Sequence, residues 1–167
     1  MVARAPLTRD EVFEILNGVM DPEVPVISVV ELGIVRDVEV NGASIVVTIT
    51  PTYSGCPAMR EIEIEIRSAL EAHGFTSVAI RTVYSPAWTT DWITAEAREK
   101  LEAYGIAPPG PAVRDELVSI ARRTDTVRCP YCKSMCTERQ SEFGSTACKS
   151  IWVCRDCRQP FEEFKPI

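Results

Sequence analysis

The sequence predicts an α+β protein in two parts, a small helix-hairpin-helix-strand domain followed by a C-terminal zinc ribbon. Three observations carry this reading. Two β-branched runs flank Asn41-Gly42, the strongest short hairpin signal a sequence carries. An amphipathic run follows, with Met59, Ile62, Ile66, Ala69 and Leu70 opposite Arg60, Glu63, Glu65 and Arg67. Six of the seven cysteines then lie beyond Asp125, where composition changes sharply. A chain of 167 residues can bury a proper core, but that change argues against one core for the whole length.

In chain order, Thr8 and Glu11 fit a capping box, and Val12, Phe13, Leu16 and Val19 share one helical face, so a helix is expected over about 8–19. Asp21-Pro22-Glu23-Val24-Pro25 stops it. Ile34–Val40 and Ala43–Thr50 read as antiparallel strands, and a second helix runs from Pro57 to a cap at Gly74. Val78–Tyr84 is a third strand, and Thr94–Tyr104 a third helix ended by Gly105. Ile106–Ala112 holds Pro108, Pro109, Gly110 and Pro111 and should be extended and stiff. The expected division is therefore 1–105 for the α+β domain, 106–125 for a Pro-rich linker with a short helix over Val113–Arg123, and 126–167 for the cysteine module.

Cys129-Pro130-Tyr131-Cys132 and Cys154-Arg155-Asp156-Cys157 are two C-x-x-C pairs with 21 residues between Cys132 and Cys154. Each C-x-x-C turn aims two sulfurs at one point, and two turns complete a tetrahedral thiolate site. Such a site is closed, so its metal is expected to be structural, and a segment this short with few large apolar residues needs it to fold. Zinc is the expected ion, with iron in a rubredoxin-like arrangement as its competitor, because the same sulfur geometry suits both. Lys133 and Arg158 stand where such knuckles often carry glycine to reach positive φ. Cys136 and Cys148 are left over, and Cys148 is expected to fill the module's small core.

Cys56, in Pro51-Thr52-Tyr53-Ser54-Gly55-Cys56-Pro57, is expected where the second helix begins. Unpaired N–H groups and the helix dipole would stabilise a thiolate there and lower its pKa. The alternative is a free cysteine buried as a small hydrophobe, and the local residues leave both open. Asp21, Glu23 and Glu31 flank the break after the first helix and would reach Cys56 if that loop folds over the sheet edge; on the residues alone, turn formation and solvation is the better reading. Thr50, Thr52 and Ser54 are further polar neighbours in sequence. Trp88 and Trp92, in a polar loop, suit either a partner surface or the edge of a core.

Charge and composition exclude several classes. A net charge of −6 and a pI near 4.9 argue against binding nucleic acid through phosphate contacts. No apolar run approaches the roughly 18 residues a membrane span needs. Met1–Asp10 lacks the apolar core of a secretory signal, so the thiols are expected in a reducing cytoplasm, free or metal-bound. His73 is the only histidine and lies at the far end of the second helix from Cys56, which rejects a Cys-His or Ser-His-Asp hydrolase.

Taken together, Asp21-Pro22-Glu23-Val24-Pro25, Leu32-Gly33-Ile34-Val35 and Tyr53-Ser54-Gly55-Cys56-Pro57 resemble the signature of the iron-sulfur assembly family that includes SufT. Ser85–Thr94, Tyr104-Gly105-Ile106-Ala107-Pro108-Pro109 and Ser141–Lys149 resemble the segments that distinguish its phenylacetate-degradation branch, and the likeness covers nearly the whole chain. The resemblance implies an accessory of the multicomponent phenylacetyl-CoA oxygenase, not its catalytic subunit, that assists assembly or delivery of an iron-sulfur or iron centre. It implies Cys56 as the reactive or transient cluster ligand, Asp21 and Glu23 as residues shaping its pocket, and Cys129, Cys132, Cys154 and Cys157 as the ribbon's metal ligands. The implied partners are oxygenase subunits or the reductase, iron-sulfur assembly proteins and a second copy of the chain. A non-catalytic structural subunit of the oxygenase is the alternative. Phe164-Lys165-Pro166-Ile167 departs from the pattern, which carries a further cysteine there in many relatives.

Overall fold

The computed structural model describes residues 7–110 and 126–167, which divide into two compact units, one ending at Trp88 and one beginning at Thr89. The short helix expected over Val113–Arg123 lies outside the described residues.

In the first unit the elements are α1 (Arg9–Leu16), β1 (Val35–Asn41), β2 (Ser44–Ile49), α2 (Met59–Ala72) and β3 (Ser77–Thr82). Helix α1 carries the expected capping box: Thr8 Oγ1 accepts from the Glu11 N–H and the Glu11 carboxylate accepts from the Thr8 N–H at 2.7 Å. It ends earlier than its apolar periodicity suggests, because Gly18 and Val19 turn back to Ile15 and Leu16 in tighter i→i+3 bonds. Strands β1 and β2 pair antiparallel, closing at Asn41↔Ser44, so the two loop residues are Gly42 and Ala43, with Gly42 at φ +62°. Strand β3 lies parallel to β2 on its other side, the β2-α2-β3 crossover that a parallel pair requires. The sheet alternates: Ile45, Val47 and Ile49 are buried, as are Ile62, Ile66 and Leu70 of α2 and Val12 and Leu16 of α1. Helix α1 contacts both β1 and α2, and α2 contacts β3, which places the helices on one face. Trp88 closes this core: it is buried and its Nε1 donates to the Leu32 carbonyl at 3.0 Å. Of the two roles open to it, Trp88 takes the core one.

The second unit contains a short 3-10 turn (Thr90–Trp92), α3 (Ala95–Tyr104), β4 (Ile106–Ala107), β5 (Thr137–Ser141), β6 (Lys149–Cys154) and β7 (Pro160–Phe164). Its four-stranded sheet has the order β4-β7-β6-β5, antiparallel except for the parallel β4-β7 pair. Helix α3 begins at the Thr94 cap and ends at Gly105 in the left-handed region, as its sequence predicts. The sequence-based boundary near 105 differs from the one observed, since α3 and β4 cluster with the ribbon; Ile106 and Ala107, expected in the linker, add an edge strand to β7. Arg98 ties this segment together by donating to the carbonyls of Thr90 and Pro109 at 2.6 and 2.7 Å. Around the cysteines packs a small cluster, Ala107, Cys129, Trp152, Cys154 and Phe161, with Val127 and Cys157 against it; Ala97, Leu101, Ile106 and Phe164 are buried elsewhere in the unit.

Candidate functional site

Two chemically distinct groups of candidate residues are present, one in each unit. In the first unit the chain leaves β2 at Thr50, whose N–H donates to the Ile34 carbonyl, and crosses to α2 through Thr52, Tyr53, Gly55 and Cys56. Gly55 turns at φ +90°, a conformation L-residues rarely adopt. Helix α2 starts at Met59, with Ala58 before it making no side-chain cap, so Cys56 and Pro57 precede the helix instead of opening it. The Met59 N–H reaches back to the Cys56 carbonyl at 3.3 Å.

Asp21 and Glu23 are brought to this loop. Asp21 is buried, and one carboxylate oxygen accepts the N–H groups of Glu23 and Val24, both at 2.8 Å, which folds the Asp21-Pro22-Glu23-Val24 turn. Both carboxylates act electrostatically on the Cys56 thiol. Glu31, also considered from the sequence, instead closes a turn with Ser28 through reciprocal side-chain to backbone bonds of 2.9 and 3.0 Å.

The Cys56 thiol is pushed up from its ordinary value, and this corrects the sequence expectation of a lowered pKa. Burial of the half-exposed side chain contributes most. The Ala58 N–H and the Tyr53 side chain pull the other way, and the charges of Glu23 and Asp21 reinforce burial. One N–H at the entry to the helix, that of Ala58, does act on the sulfur, but desolvation and two carboxylates outweigh it. At neutral pH Cys56 is a protonated thiol, and a metal must displace its proton to bind. Tyr53 is a contact of the sulfur that the sequence analysis did not single out; its place three residues before Cys56, across Gly55, was the available signal.

In the second unit the sulfurs of Cys129, Cys132, Cys154 and Cys157 lie within 4.8 Å of one another, the one such group of metal-ligating side chains among the described residues. Two facing pairs are 3.7 Å (Cys129–Cys157) and 3.5 Å (Cys132–Cys154) apart. Four thiolates at about 2.3 Å from a tetrahedral ion would sit about 3.8 Å apart, so the set fits a closed four-thiolate metal site.

The two knuckles repeat one geometry. The Cys129 N–H donates to the Ser134 carbonyl at 2.9 Å and the Cys154 N–H to the Gln159 carbonyl at 3.0 Å. The Ser134 N–H points at the Cys132 sulfur and the Gln159 N–H at the Cys157 sulfur. Lys133 and Arg158 adopt φ +65° and +61°, the only non-glycine residues at positive φ among those described, at the two positions where the sequence called for glycine. Ser134 Oγ donates to the Asp156 carboxylate, linking the knuckles. The Cys157 N–H, helped by that of Asp156, holds the Cys154 thiol down at about 7 against the opposing effect of burial. Cys129 and Cys154 are fully buried, whereas Cys132 is exposed and Cys157 half-buried. Cys136 is exposed and Cys148 buried, and neither joins the cluster.

Trp152 backs the buried side of this site. Its indole Nε1 donates to Ser150 Oγ and to the buried Glu163 carboxylate, both at 2.9 Å, and Ser150 donates to the same carboxylate at 2.8 Å. Beside it, Lys149 is buried and pairs with Glu162 at 2.9 Å. This polar layer is not legible in the sequence, because alternation marks which residues face inward but not which of them bond to each other.

Residues 9–82 match the model of a family described as iron-sulfur cluster assembly protein, and residues 114–165 match the PaaD zinc beta ribbon domain. An Escherichia coli protein, named as a putative 1,2-phenylacetyl-CoA epoxidase component, is 46% identical over 98% of this chain and 96% of its own length. A Porphyromonas gingivalis protein named Fe-S protein maturation auxiliary factor is 34% identical over 56% of this chain and 90% of its own. Among solved structures, a domain of unknown function, DUF59, from Bacillus anthracis is 26% identical and superimposes with a TM-score of 0.52 over 56% of this chain and 90% of that one. A conserved hypothetical protein from Thermotoga maritima is 28% identical with a TM-score of 0.51, over 59% of this chain and 97% of that one.

Proposed function

We propose, from the premise that this chain belongs to the PaaD family, an iron-sulfur assembly domain joined to a zinc ribbon, that it is an accessory and maturation factor of a phenylacetyl-CoA epoxidase. In this reading it assists assembly or delivery of an iron-sulfur or iron centre and works in the cytoplasm. No helix among the described residues is long and apolar enough to cross a membrane.

The observation that carries the reading is the Cys56 loop. A half-exposed thiol stands beside Asp21 and Glu23, inside the segment that matches the assembly family. A neutral thiol flanked by two carboxylates is a poor nucleophile, since the thiolate is the reactive form and negative charge disfavours it. A cationic iron centre reverses the balance: it replaces the proton, and the same carboxylates then attract it. Cys56 serves as a transient ligand, and the remaining ligands come from a second copy's Cys56 or from a client, because one thiolate does not hold a cluster by itself. Easy release follows from that incompleteness.

The four-cysteine site has a different task. Zinc held by Cys129, Cys132, Cys154 and Cys157 would supply folding energy and no open coordination position. The partners in this reading are the epoxidase subunits or their reductase, and iron-sulfur assembly proteins.

The test is Cys56→Ala. The variant is expected to keep its fold and its zinc, while epoxidase matured alongside it loses most of its iron and activity. Full metallation and activity of the epoxidase with the variant would overturn the maturation role and leave a structural subunit.

A further inference from the structure

The first metal knuckle does not stand on the ribbon alone. Lys133, held at positive φ directly after Cys132, pairs with Glu102 of α3 at 2.9 Å, and its Nζ also donates to the Pro130 carbonyl at 2.7 Å. Tyr131, between the two cysteines of that knuckle, lies over Gly105, the left-handed cap of α3. A Cβ built there would meet the Tyr131 hydroxyl at 2.7 Å. Two residues on, β4 pairs with β7, and Ala107 enters the core beside Cys129 and Cys154.

Strand β4 is two residues long, Tyr131 remains 54% exposed, and a cleft of about 310 Å³ runs along the seam between Gly105, Ile106, Tyr131 and Phe161. The Glu102 and Gly105 contacts with the knuckle are thus at the surface, where a substitution changes them without opening the core.

We propose that α3 and β4 are part of the metal centre, so that metal occupancy of the four-thiolate site and docking of α3-β4 on the ribbon are thermodynamically linked. The link rests on the metal-site reading given above. A metal ion fixes the Cys129–Ser134 turn, and that turn presents Tyr131 and Lys133 to α3. By reciprocity, undocking α3-β4 lowers metal affinity by the same factor that metal removal lowers the docking constant, and weakening one contact realises part of that factor.

Two readouts on the full chain test this. Hydrogen exchange of the Ala95–Tyr104 amides, with zinc bound and after chelation, is expected to accelerate at least about tenfold on metal loss, while the amides of Met59–Ala72 do not change. Zinc affinity by chelator competition is expected to fall about two- to fivefold in Glu102→Gln, and further in Gly105→Ala, with Glu99→Gln on the same helix unaffected. The two test substitutions lie outside the ribbon's own ligand turns, so their effect on affinity reports the link and not damage to a knuckle. Zinc affinities in both equal to that of the unsubstituted chain, or α3 exchange indifferent to chelation, would overturn the linkage alone. A purified chain that binds no metal would overturn the metal-site reading and the linkage with it.

Discussion

At Cys56 the contest between a loop's N–H groups and desolvation is decided by burial, and the sign of the outcome is testable. Its folded-state pKa lies above the ordinary 9.0. Relative to the unfolded chain, the neutral thiol therefore contributes stability below pH 9 that is lost as pH rises through the folded value. Alkylation of Cys56 should be slow at pH 7.5 and gain rate only above pH 9, whereas Glu23→Gln should shift the rate profile to lower pH. A profile centred below 8 would show that the loop N–H groups win after all. A second residue-scale outcome concerns Arg158, exposed and at φ +61°. Arg158→Gly should stabilise the metal-loaded ribbon by about 0.5 kcal/mol, and Arg158→Val should destabilise it by about 1–2 kcal/mol, because only glycine enters the left-handed region without a Cβ clash. Thermal melts of the zinc-bound chain read both.

Among the elements, the hairpin shows how far local signals reach. Asn41-Gly42 locates the turn, yet the closing pair is Asn41↔Ser44, one residue later than a loop centred on Asn-Gly would have it. That register sets Val40 opposite Ile45 and Val38 opposite Val47, and Ile45, Val47 and Ile49 alternate onto the buried face. Gly42 has open space around its Cβ position, so Gly42→Ala tests backbone strain alone. It should cost about 1 kcal/mol in denaturant unfolding of the first unit. Helix α2 illustrates the opposite limit: its apolar stripe is legible, but its start is not, because Pro57 suits a first helical turn and a preceding turn equally well.

The molecule as a whole is two compact units with different sources of stability. The first buries a continuous apolar core from α1, α2 and the three-stranded sheet. In the second, the ribbon's cluster is small and includes two of the metal-ligand candidates, so the ribbon is expected to depend on the metal. Chelation at neutral pH should therefore expose Trp152, seen as a red shift of its emission, and abolish the ribbon's strand signal. The circular-dichroism helix signal of α1 and α2 should persist. Loss of both units together on chelation would contradict this division. Because thiols must lose their protons to bind, the same collapse should appear without chelator as pH falls below about 5.

Residue type and spacing were enough for the features that rest on local chemistry: the capping box at Thr8, the paired strands, the left-handed stop at Gly105, the positive-φ positions after each cysteine pair and the four-thiolate set. Whatever depends on proximity between distant segments was settled by the folded chain. Folding half-buried Cys56, with Asp21 and Glu23 adding to the effect, and so reversed the expected direction of its pKa; it assigned α3 and β4 to the ribbon unit, and it buried Trp88. Periodicity and turn chemistry act over a few residues, whereas desolvation and charge-charge effects depend on which segments the fold brings together.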